Sequence, residues 1–127
     1  MSFIDSLFGK SGTDNSSGLP WMQLTSTDQI GELSAKSNEI PVIIFKHSTR
    51  CGISRMVLRG FEKKFPADAG AAIYFLDLLK YREVSNAIAD TFQVQHQSPQ
   101  LILIKNEKAA EHWSHGDIDA EILRQSL

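Results

Sequence analysis

Apolar residues follow two rhythms along this chain, and the switch from one to the other predicts its elements. Pro41-Val42-Ile43-Ile44-Phe45 is an unbroken, β-branched run, as expected of a strand buried on both faces. Ala71-Ala72-Ile73-Tyr74-Phe75-Leu76-Asp77 and Gln100-Leu101-Ile102-Leu103-Ile104 repeat that pattern. Between these runs the spacing lengthens to that of helices. Residues 25–37, capped by Thr25 or Ser26, turn Ile30 and Leu33 inward. From Cys51 to about Lys64, Ile53, Met56, Val57, Gly60, Phe61 and Phe65 form one stripe, while Arg55, Arg59 and Lys63 form another. Residues 82–92 turn Val84 and Ile88 inward. Asn106-Glu107 predicts a tight turn into a further strand, 108–114. Residues 117–125 close the chain as a helix with Ile118, Ile122 and Leu123 on its apolar side.

The predicted order is α, βαβ, α, ββα. Strands joined through a helix are expected to run parallel and the final pair antiparallel. The fold class is therefore α/β: a four-stranded mixed sheet, βαβ plus ββα, flanked by helices and preceded by an extra N-terminal helix. A chain of 127 residues suits one domain, which the pattern assigns to residues 21–127. Residues 1–20 read as tail and linker. Phe3, Ile4, Leu7 and Phe8 have helical spacing, and the Gly/Ser-rich stretch 9–18 has linker composition.

Composition narrows the function. The net charge of −2 gives no reason to expect nucleic acid or an anionic membrane as partner. Apolar runs are far shorter than the roughly 20 residues of a spanning helix, and the first residues lack the charged and apolar regions of a secretory signal. One cysteine excludes an internal disulfide and fits a reducing, cytoplasmic setting. The charge is uneven: residues 41–64 carry a net +5 and the remainder −7.

That positive segment holds Cys51, at the end of an apolar strand and the start of a helix. Unpaired N–H groups at a helix start favour the thiolate, the form that attacks disulfides. Arg50 is adjacent, and His47 and Arg55 lie within reach, so cations add to the effect. Ser54, three residues on, is placed to donate a hydrogen bond to the sulfur. The plainer alternative makes Cys51 a small buried hydrophobe. Ser98-Pro99 precedes another strand, where a residue without N–H is tolerated. Topology should land this loop beside Cys51, and a cis bond there would present the Ser98 backbone to an extended substrate.

The stretch Phe45-Lys46-His47-Ser48-Thr49-Arg50-Cys51-Gly52-Ile53-Ser54, with Ser98-Pro99-Gln100, resembles the monothiol bacilliredoxin family, the bacillithiol-system YtxJ-like proteins of thioredoxin-like fold. The likeness runs over about residues 21–127. It implies that Cys51 takes a low-molecular-weight thiol, bacillithiol, from the mixed disulfide of an S-thiolated client protein. The small thiol is then a co-substrate, with no tightly bound cofactor. Arg50, Ser54 and Arg55 would assist Cys51. Lys46, His47, Gly52, Ser98, Pro99 and His115 would bind substrate. Gly52 departs from the proline usual in that family, and gives up a fixed φ at the helix start.

Two other readings stay open. Cys51-Gly52-Ile53-Ser54 is also similar to the Cys-Gly-Phe-Ser of monothiol glutaredoxins, which share an iron–sulfur cluster with glutathione; Lys46 would mimic their glutathione-contacting lysine. Trp113-Ser114-His115-Gly116-Asp117 copies their Gly-Gly-x-Asp turn poorly. A thioredoxin-fold binding module with an idle thiol is the third reading. His47, His96, His112 and His115 make no zinc-type cluster, so no intrinsic metal is expected.

Overall fold

The computed structural model describes residues 18–127. The segment Phe3–Phe8 and most of the linker lie outside the described residues. Leu19, assigned to the tail by composition, is buried with Phe61 and Phe65.

The described residues form five strands and four helices. They are β1 (Met22–Gln23), α1 (Asp28–Lys36), β2 (Val42–His47), α2 (Gly52–Lys64), β3 (Ala72–Asp77), α3 (Arg82–Phe92), β4 (Gln100–Lys105), β5 (Lys108–Ser114) and α4 (Ala120–Ser126). A 3-10 turn, His115–Asp117, precedes α4. The sheet order is β1-β3-β2-β4-β5, with β2 at the centre. The sheet thus has five strands where the pattern predicted four. Two-residue β1 is too short to show a period, yet it pairs parallel with β3 through Met22↔Tyr74.

β2 and β3 run parallel, as the helix between them requires. β4 does not follow the parallel rule: it is antiparallel to β2. Register explains why. β3 ends level with the end of β2, His47↔Asp77, and β4 starts at that same edge, Lys46↔Gln100. After α3, residues 93–99 bring the chain back to the edge it left, so β4 enters reversed.

Two apolar layers flank the sheet. Val42, Ile44, Ile102 and Ile104 pack towards α1 and α3, among Leu33, Val84 and Ile88. Ile43, Phe45, Leu101 and Leu103 pack towards α2 and α4, among Phe61, Phe65 and Leu123. Alternation along each strand supplies both layers, because successive side chains point to opposite faces.

Two boundaries and one helix face differ from the expectation. α1 begins at Asp28, because Gln29 Oε1 accepts from the backbone N–H groups of Thr25 (2.7 Å) and Ser26 (3.0 Å) and holds them in a preceding turn. α4 begins at Ala120, because Asp119 caps it by accepting from the N–H groups of Glu121 and Ile122. In that shorter helix Ala120 and Leu123 are buried and Ile122 faces out. In α2 the inward stripe runs through Ser54, Val57, Leu58, Phe61 and Phe65, leaving Ile53 55% and Met56 66% exposed. The expected stripe holds for Val57, Phe61 and Phe65 but not for Ile53, Met56 and Gly60, which are exposed; the helix is phased by its two phenylalanines.

Candidate active site

β2 delivers the site. Its last residues, Lys46 and His47, point to opposite faces, and Ser48-Thr49-Arg50 turns the chain into α2. The Cys51 N–H donates to Ser48 O at 3.2 Å, which closes that turn. Cys51 is the N-cap of α2, with extended backbone (φ −104°, ψ 119°), and its carbonyl accepts from the Arg55 N–H at 3.1 Å. The thiol is free and half-buried. No acidic residue occupies the first turn of α2, so the helix dipole acts there without an opposing carboxylate.

Ser54, expected to donate to the sulfur, is committed elsewhere. It is fully buried. Its Oγ accepts from the Ser48 N–H at 3.1 Å and lies 2.8 Å from His47 Nδ1. Among the described residues, no hydrogen bond joins Ser54 Oγ to Cys51. The hydroxyl instead ties the first turn of α2 to the end of β2, setting the loop that carries the thiol.

His47 is buried as well. Burial pushes its pKa below 6.5; Asp77 across the β2–β3 ladder opposes that shift and the Arg55 guanidinium reinforces it. The ring is therefore neutral at pH 7. A proton on Nε2 suits it, leaving Nδ1 to accept from the Ser54 hydroxyl.

Of the cations, Arg55 donates from Nη1 to Thr49 O at 2.9 Å, which keeps the guanidinium beside the reactive turn. Arg50 is exposed in that turn. It lines an open cleft of about 410 Å³ with Thr49, Asp77, Leu79 and Lys80. Gly52 is exposed, and a Cβ there would meet only Arg55 Nη2, at 3.8 Å.

The Ser98–Pro99 peptide bond is cis. Extending the β2–β4 register past Lys46↔Gln100 sets Pro99 level with His47 and Ser98 level with Ser48, on the edge that bears Cys51. Pro99 is buried, and its carbonyl accepts from the His115 N–H at 3.0 Å. His115 thus reaches this edge through its backbone (φ 55°), with an exposed side chain. The backbone groups of Ser98 have no hydrogen-bond partner among the described residues.

Lys46 does not join the others. It is fully buried on the α3 side of the sheet, where Nζ donates to Ser85 O at 3.2 Å and lies 3.4 Å from His96 Nδ1. Expected among the substrate-binding residues, it instead presents no exposed surface to a ligand.

Sequence reasoning missed Ser48, whose N–H and C=O both serve the site, and Asp77, placed against His47 only by strand pairing. Neither carries a local signal. Among the described residues, no group of three or more His, Cys, Asp or Glu side chains is placed to hold a metal ion.

Comparison with known proteins bears on the family and the fold. The family model of the monothiol bacilliredoxin BrxC matches residues 22–123. A solved structure described as a candidate oxidoreductase with a thioredoxin fold is 30% identical, with 83% of this chain and 91% of that chain covered and a TM-score of 0.72. Thioredoxin from Malassezia sympodialis is 18% identical, with 97% and 95% covered and a TM-score of 0.64. That from Fasciola hepatica is 16% identical, with 82% and 93% covered and a TM-score of 0.63. The two thioredoxins speak to the fold alone.

Proposed function

The chain belongs to the monothiol bacilliredoxin BrxC family and is a thiol-redox protein of thioredoxin fold, and from that premise we propose that Cys51 removes a low-molecular-weight thiol from S-thiolated client proteins. The observation that carries this reading is a solitary, half-buried cysteine capping a helix whose first turn has no acid.

The Cys51 thiolate attacks the small-thiol sulfur of the client mixed disulfide. A bond forms between Cys51 and that sulfur, the client S–S bond breaks, and the client leaves as its thiolate. No second cysteine exists to resolve the adduct. A second thiol molecule, or a partner protein's thiol, must attack it, taking the small thiol away as a new disulfide and returning Cys51 to its thiolate. The net reductant is that incoming thiol. Bacillithiol is the small thiol we assign, on the family resemblance, and a reducing cytoplasm is the compartment in which such a cycle runs. Arg55 and Arg50 stabilise the anion, His47 and Ser54 position the loop, and Ser98 offers its unpaired backbone to the client chain beside the thiol.

The iron–sulfur reading loses one of its two supporting residues, because Lys46 is sealed inside the sheet. The test is to mix the reduced protein with a bacillithiolated peptide and follow both species by intact mass. The expected result is transfer of the bacillithiol mass to Cys51 with release of free peptide thiol, absent in Cys51→Ser. Failure of the adduct to form at micromolar protein would refute the reading.

A further inference from the structure

Lys46 interrupts an apolar surface. Val42, Ile44, Ile102 and Ile104 share its face of the sheet, and an apolar side chain there would complete the layer. Instead an ammonium group is fully buried, and desolvation alone lowers its pKa, to about 8. Among the described residues no carboxylate forms an ion pair with it. A buried charge without a counter-ion is costly, so its retention calls for a reason.

Its contacts supply one. Nζ donates to Ser85 O in α3 and sits 3.4 Å from His96 Nδ1. An ammonium has no lone pair, so the ring nitrogen must be the acceptor. Ser85 Oγ lies 3.2 Å from the same Nδ1. Gln100, the cross-strand partner of Lys46, donates from Nε2 to Gln95 O at 3.0 Å. Strand β2, helix α3 and strand β4 therefore all reach towards residues 95–96, just before the Ser98–Pro99 bend. Desolvation first, then the Lys46 and Arg82 charges, disfavour a positive charge on His96, which keeps that ring an acceptor.

We propose that Lys46 is a positioning residue for client pairing: from inside the sheet its ammonium holds the His96 ring, and through it the segment leading to the Ser98–Pro99 bend, so that the Ser98 backbone stays in place on the edge that bears Cys51. The proposal rests on the exchange reading above and adds a division of labour to it. A client polypeptide needs two fixed features, the thiol and the pairing edge. A small disulfide needs only the thiol. Loosening the clamp should therefore raise KM for thiolated peptides and leave reaction with small disulfides alone.

The experiment compares the full chain with Lys46→Met and, should that variant fold poorly, with His96→Phe. Three quantities are read: KM and kcat with an extended S-thiolated peptide, the rate with 2-hydroxyethyl disulfide, and the backbone NMR order parameters of residues 95–98. The expected result is a KM for peptide raised at least fivefold, a small-disulfide rate within twofold of the parent, and lowered order parameters at 95–98. Equal losses on both substrates, or unchanged order parameters at 95–98, would overturn the proposal. If the parent protein reacts with 2-hydroxyethyl disulfide but never with peptide, the client reading fails, while the order-parameter arm still decides the clamp.

Discussion

Gly52 occupies the first position of α2, where proline is favoured because the N–H has no helical acceptor and φ is already near the ring's value. Its own N–H makes no hydrogen bond among the described residues, its φ is not in the positive region, and the space beside it is open. Gly52→Pro should therefore stabilise the fold by about 0.4–1 kcal/mol, chiefly by restricting the unfolded chain; the urea midpoint checks this, and a fall would show that the loop needs glycine. Arg55 is held beside the reactive turn by Thr49 O. Arg55→Ala should slow iodoacetamide alkylation of Cys51 at pH 7 by roughly two- to tenfold while leaving the circular dichroism spectrum intact. An unchanged rate would remove Arg55 from the site.

At the scale of elements, the site is a junction between β2 and α2, and Ser54 is its fastener. Removing the hydroxyl leaves the buried Ser48 N–H and His47 Nδ1 short of a partner. Ser54→Ala should cost about 1–3 kcal/mol in chemical denaturation and loosen the turn that presents Cys51. An alanine variant as stable as the parent would mean that the junction is held by packing alone. The same element shows why a stripe read from apolar identity misleads. Phe61 and Phe65 were rightly placed inward, but Ile53 and Met56, placed with them because they are apolar, are exposed, and the small, polar Ser54 is buried in their stead. A buried serine is indistinguishable from a surface one until its partners are known.

For the molecule as a whole, two buried bases, His47 and Lys46, and the half-buried His96 make stability depend on pH. His47 and His96 have folded pKa values below the ordinary 6.5. Their contribution is present above pH 6.5 and is lost as the pH falls through the folded values, so the urea midpoint should drop between pH 7 and pH 5. Lys46 acts in the same sense at higher pH. Its folded value of about 8 lies below the ordinary 10.5, so its burial penalises the fold at pH 8 and below, and the penalty disappears towards pH 10.5. The difference in stability between Lys46→Met and the parent should therefore shrink as the pH rises from 8 to 10.5. A constant difference would show that the ammonium is better solvated than its burial implies.

Local pattern was enough for the long elements and for placing the cysteine at a helix start. Continuous apolar runs can only be satisfied as inner strands, and a cysteine at a strand-to-helix turn meets the same dipoles whatever surrounds it. Helix 82–92, from its spacing, and strand 108–114, from the Asn106-Glu107 turn before it, were legible to the residue. What distant segments decide was not legible. The reversal of β4 depends on the path of residues 93–99, β1 exists only because β3 offers an edge, and Lys46 is a clamp only because α3 and the loop at His96 close over it. Periodicity reports which face of a segment seeks the interior; only tertiary contact reports which polar atom meets which across it.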